Sequence, residues 1–142
     1  MSNGPLAAVR VEDDERLARF VLTARHIPKT GGGVKAEAIL PFKWVELSVS
    51  RHRDLTDSEL WELGQEVARK RSETERREVP LIGRADFLAR TARRQNLDVK
   101  PGEPPRNHAN VIGWPAEKSA QMSRAQEIAA QSSFVPLSSK GA

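Results

Sequence analysis

The chain contains no cysteine, which removes disulfides, thiolate catalysis and cysteine-ligated zinc or iron–sulfur centres together. Such a composition fits a reducing compartment, so a cytoplasmic location is expected. No run approaches the ~18 apolar residues that a membrane helix needs, so no membrane association is expected. The opening Met1-Ser2-Asn3-Gly4-Pro5 has no basic region followed by an apolar stretch, so residues 1–11 are expected to form a flexible leader and not a secretory signal. Histidine occurs three times, at His26, His52 and His108. They are scattered without metal-ligand spacing, and neither a metal nor a cofactor is expected. Phe and Trp total seven, too dispersed to form the alternating stacking platform of RNA-recognition sheets.

What remains is polar and modestly apolar. The 142 residues fit one domain, with 38% hydrophobic residues and a mean hydropathy of −0.56. The net charge of +4 comes from 23 basic and 19 acidic side chains. Opposite signs are interleaved, whereas a dedicated nucleic-acid binder carries a basic face or stripe.

Residues 13–26 are ambiguous in period. Ala18, Phe20, Leu22 and Ala24 alternate with polar residues as in a half-buried strand, while Leu17, Phe20, Val21 and Ala24 also satisfy a helical stripe. The Phe-Val-Leu-Thr cluster favours a strand. Lys29 to Gly33 reads as a glycine-rich turn, Val34 to Leu40 as a short strand or a single helical turn, and Trp44 to Ser50 as a strand with Val45, Leu47 and Val49 on one face. The clearest local element is a helix from Asp57 to Arg71, capped by Thr56 with Glu59 three residues on, and with Leu55 placed to pack on Leu60. A second helix is expected over Arg84 to Gln95, with Ala85, Leu88, Ala89 and Ala92 inward, followed by a Pro-rich linker from Lys100 to Arg106. A third helix is expected from Pro115 to Gln131. The expectation is therefore an α+β domain over 12–131, with about three antiparallel strands against about three helices, and a tail over 132–142.

The densest polar segment is Asn107-His108-Ala109-Asn110-Val111-Ile112-Gly113-Trp114-Pro115, read as an ordered loop before the last helix. His108 has the pKa range of a general acid or base. Asn107 and Asn110 have side chains able to orient its ring or hold a ligand, and Arg106 can meet an anion. The same polar groups also suit satisfaction of the loop's own backbone, and Trp114 suits a core anchor as well as a stacking surface. Arg90, Arg93 and Arg94 are placed on one helix face with Arg84 and Lys100 nearby, a patch suited to phosphates or to an acidic partner, and equally to plain solvation. Ser48, Ser50, His52 and Asp54 do not form a hydrolase site, because neighbours on a strand point to opposite faces and there is no Gly-x-Ser-x-Gly elbow. With no catalytic constellation evident, the expected role is that of a non-enzymatic interaction or adaptor protein, an accessory subunit with a protein partner. A nucleic-acid module using the arginine helix is the second reading, and a small nuclease or transferase using His108 the third.

Overall fold

The computed structural model describes residues 9–41 and 46–137. Its strands are β1 (Arg16–Val21), β2 (Leu47–Arg51), β3 (Gly83–Leu88), β4 (Asp98–Pro101), β5 (His108–Ile112) and β6 (Ser133–Pro136), and its helices are α1 (Asp57–Glu75), α2 (Ala89–Arg93) and α3 (Lys118–Ala130). The strands form one sheet in the order β4-β5-β2-β1-β3-β6, with every neighbouring pair antiparallel. The α+β class is as expected, but the sheet has six strands and not three.

The extra strands come from segments whose partners are remote in sequence. Arg84 to Leu88 satisfies helical spacing, yet it pairs along its length with β1, from Arg16↔Leu88 to Val21↔Gly83. The helical part that follows is only Ala89–Arg93. The expected loop before the last helix contains strand β5, and the expected linker supplies only the last two residues of β4, Lys100 and Pro101, in a strand that pairs with β5 from Asp98↔Ile112 to Pro101↔Ala109. Ser133–Pro136, expected in a tail, pairs with β3 as an edge strand. Val11, expected in the leader, is fully buried. Trp44 and Val45, read as the start of β2, lie outside the described residues.

Alternation divides the sheet into two unlike faces. One carries Leu17, Val21, Leu47, Val49, Ala85, Phe87, Ala109 and Val111 and is sealed by Ala125, Ile128 and Ala129 of α3, by Ile39, and by Trp114. The short helical turn Ala36–Ala38 lies within the expected Val34–Leu40 segment. The other face presents Ser48, Ser50, Arg84, Asp86, His108 and Asn110, with Ala18 and Phe20 as its apolar centre. Helix α1 lies over that centre through Leu60 and Ala68, with Leu81 beside them. Its start is as expected: Thr56 accepts from the Glu59 N–H at 3.1 Å, and Glu59 accepts from the Thr56 N–H at 2.8 Å. It continues to Glu75 and stops where Arg76 turns left-handed at φ 56°. Gly64 is required at the crossing, since a Cβ there would sit 2.7 Å from the Phe20 ring.

Candidate anion-binding site

On β3 the alternation that turns Ala85 and Phe87 to the core turns Arg84 and Asp86 to the opposite face. Both are buried. Arg84 Nε donates to the two Asp86 oxygens at 3.1 and 3.2 Å, and Nη2 donates to Asp57 Oδ1 at 3.0 Å in the first turn of α1. The guanidinium lies 4.5 Å from the centre of the Trp61 ring, a cation–π contact that strengthens with desolvation. His52, just beyond β2, brings Nε2 to 3.2 Å from Asp86 Oδ1. Its backbone N–H donates to the Arg16 carbonyl at 3.0 Å, which sets Arg16 beside it.

Despite these partners Arg84 Nη1 is buried without a hydrogen bond, and so is Arg90 Nε. Buried guanidinium N–H groups are costly when unmade. Both arginines line a cavity of about 640 Å³ together with Arg16, Arg94, Thr91 and Ser133. Among the described residues its one carboxylate is Asp86, so four guanidiniums against one carboxylate leave a formal lining charge of +3. Arg16, Arg90 and Arg94 make no ion pair among the described residues. The arrangement has the chemistry of a receptor for one anionic group: convergent planar donors, two hydroxyls and a partly desolvated floor.

The residues singled out in the sequence are dispersed by the fold. Arg84, Arg90 and Arg94 converge. Arg93 turns away, donating to Asp13 at 2.6 Å, Asp98 at 3.2 Å, and the Val11 and Val99 carbonyls. Burial works against its charge, but the two carboxylates outweigh it and raise its pKa. It clasps the N-terminal segment to β4. Lys100 is on edge strand β4, at the far side of the sheet.

His108 and Asn110 project together from β5, with His108 Nε2 at 3.1 Å from Asn110 Oδ1. Gly102 passes so close that a Cβ would lie 2.8 Å from the imidazole. Asn107, at φ 61°, donates its side-chain amide to the Arg51 and Arg53 carbonyls at 2.9 and 2.7 Å. It satisfies the backbone beyond β2. Trp114 is buried, and its indole N–H donates to the Val111 carbonyl at 2.9 Å, the geometry of a core anchor. Arg106 is exposed, 3.8 Å from Glu59. Arg106 and His108 line a different cavity, between α1 and the β2–β5 part of the sheet.

Sequence reasoning missed Arg16, Asp57 and Asp86. The available signal was the Arg-Ala-Asp-Phe alternation at 84–87, the strand pattern in a segment whose apolar spacing also fits a helix. His52 had been weighed with Asp54, whereas its partner is Asp86 on another strand. Among the described residues, no group of three or more His, Asp or Glu is arranged to hold a metal ion. Comparison with protein-family models, with curated proteins and with solved structures finds no match. No described helix is long and apolar enough to cross a membrane.

Proposed function

We propose that this chain is a non-enzymatic interaction module of the cytoplasm that docks a partner protein by seating an acidic or phosphorylated side chain in the arginine cavity. The observation that carries the reading is the convergence of Arg16, Arg84, Arg90 and Arg94 on one cavity with a single lining carboxylate among the described residues. An incoming oxyanion meets the exposed guanidiniums of Arg16 and Arg94 there, and charge-assisted bonds of this kind are about twice as strong as neutral ones. A protein partner is favoured over nucleic acid by the layout of the charges. The arginines converge on one concavity, suited to one anionic group, while the best stacking surface nearby, Trp61, is already covered by Arg84. A polyanion would want a basic track, but Arg93 is pinned and Lys100 is remote.

The test compares binding of a phosphopeptide library, its unphosphorylated counterpart and a single-stranded oligonucleotide to the wild type and to the Arg16→Ala/Arg94→Ala variant. Both replaced side chains are exposed, so the fold should survive. Selection of acidic or phosphorylated peptides, lost at least tenfold in the variant, is expected. Preferential oligonucleotide binding with a steep salt slope would install the nucleic-acid reading instead, and no binding of any of the three would remove the module.

A further inference from the structure

The second cavity lies beside α1 and reaches the gap between β1 and β2. Strands β1 and β2 pair at only two positions, Leu17↔Arg51 and Ala18↔Ser50. Past Ala18 they part, and Arg19, in register with Ala85 of the core face, sits at the gap, its Nε donating to the Ala38 carbonyl at 3.2 Å and Nη1 to the Ser48 carbonyl at 3.0 Å. The cleft above has a volume of about 630 Å³, within the range of small-molecule sites. Phe20, Leu22, Leu63, Val67 and Val79 give it an apolar wall.

Arg19 is a half-buried cation whose hydrogen bonds among the described residues are all to neutral carbonyls. It makes no ion pair among the described residues, and the segments outside the description, 1–8, 42–45 and 138–142, contain no Asp or Glu. Carboxylates that line the cleft are otherwise engaged or peripheral: Glu66 pairs with Arg69, Glu75 pairs with Arg71 and Arg77, and Glu46 is exposed. Nη2 of Arg19 makes no hydrogen bond among the described residues. Burial, with Arg71 adding to it, pushes the guanidinium down to about 10, and burial followed by the Arg19 charge lowers His26 below the usual histidine range. Burial is the larger cause of both shifts and neighbouring cations add to it, opposed at His26 by Glu37. Buried charges in proteins are ordinarily paired.

We infer that this cleft binds a small amphipathic carboxylate, its anionic head on Arg19 and its apolar body along the Phe20–Leu63–Val67 wall. The two cavities share no lining residue, so this site stands or falls independently of the docking role.

Octanoate and phenylacetate, each set against its neutral amide, test the inference by two-dimensional NMR of the wild type and of Val67→Glu. Val67 is 39% exposed at the wall, so the substitution places a negative charge at the cleft without opening the core. At least one carboxylate should shift the Phe20, Leu22 and Val67 amides saturably, at least tenfold more tightly than its amide, with affinity reduced at least fivefold in Val67→Glu. Equal binding of acid and amide would reduce the cleft to an apolar groove and overturn the inference. Unchanged affinity in Val67→Glu, shifts confined to the arginine cavity, or no shifts with either acid would overturn it as well.

Discussion

Replacing Asp86 by alanine isolates the central feature of the arginine cavity. The Arg84 side chain is 6% exposed, and its other carboxylate partner, Asp57, is 73% exposed, so Asp86 supplies most of the buried compensation. Removing one member of a buried ion pair costs about 3–5 kcal/mol, because the remaining charge is left desolvated. Asp57 and the Trp61 ring stay in place, so the lower end, about 3 kcal/mol, is expected. An unfolding entropy of about 2.1 cal/mol/K per residue over 142 residues gives about 300 cal/mol/K, so the melting temperature should fall by about 10 °C. The same change raises the lining charge from +3 to +4, and inorganic phosphate becomes a surrogate counter-ion. At one hundred times its Kd, phosphate restores about 2.7 kcal/mol through linkage. Urea unfolding in chloride and in phosphate at equal ionic strength measures both effects, with Arg16→Ala/Arg94→Ala as the background in which rescue should shrink. The companion variant Arg84→Met/Asp86→Ala removes the whole pair and should be more stable than Asp86→Ala alone. A single variant within about 0.5 kcal/mol of wild type, or a double variant no better than the single, would refute this account of the site.

Three further changes probe the scaffold. Burial alone would raise the Glu15 carboxyl, but Arg51, donating at 2.8 and 2.6 Å, holds it below the usual carboxylate range. A lowered folded pKa stabilises above the ordinary value and is lost as pH falls through the folded one. Glu15→Gln should therefore cost about 3 kcal/mol at neutral pH and flatten the acid limb of a stability–pH curve; an unchanged limb would contradict the pairing. Gly64→Ala gains about 1 kcal/mol of helix propensity, yet its Cβ meets the Phe20 ring at 2.7 Å and Leu81 at 3.1 Å. Overpacking of about 1–3 kcal/mol should win, lowering the urea midpoint, and a raised midpoint would show that the ring yields freely. Thr56→Ala should cost about 1 kcal/mol by removing the cap on α1, measured by the same unfolding, and a change below about 0.3 kcal/mol would mean that the capping box does not hold the helix.

What was legible in the sequence was what is decided locally. Helix α1 declares itself through Thr56, Glu59 and Leu55 within a few residues, and β2 through the Leu47–Val49 alternation. The strand over Arg16–Val21 was recoverable from its β-branched and aromatic content despite a competing helical stripe. Where a segment's state depends on a remote partner, local pattern was insufficient. Ala85, Leu88, Ala89 and Ala92 make a credible helix face, and only the ladder to β1 makes Arg84 and Asp86 neighbours of His52. The polar run at 107–110 resembled a loop because half of its side chains face a sheet surface that no apolar element covers. Gathering the arginines depended equally on that ladder, which is why Arg93 was grouped with Arg90 and Arg94 although its guanidinium serves as a clasp.

The position of both cavities follows from a mismatch of widths. Six strands spaced about 4.8 Å apart span roughly 25 Å, whereas one helix with its side chains is about 10–12 Å across. A single helix laid on the centre of that face therefore leaves strands uncovered on each side, and their outward residues are mostly polar, which keeps exposed apolar patches small. On the β2–β5 side those residues are Ser48, Ser50, His108 and Asn110; on the β3–β6 side they are Arg84, Asp86 and Ser133, with Leu88 and Val135 half-buried beside them. The opposite face needs no such residues because α3, Ile39 and Trp114 seal it. Helix α1 thus lines one opening and braces an arginine of the other. Its first turns hold Arg84 through Asp57 and Trp61, and the turns that follow carry Leu63 and Val67 on the wall of the cleft. A sheet covered on one face and half covered on the other is, on this geometry, a scaffold whose binding chemistry is set at the margins of one helix, by outward strand residues such as Arg84 and by Arg19 at the gap between β1 and β2.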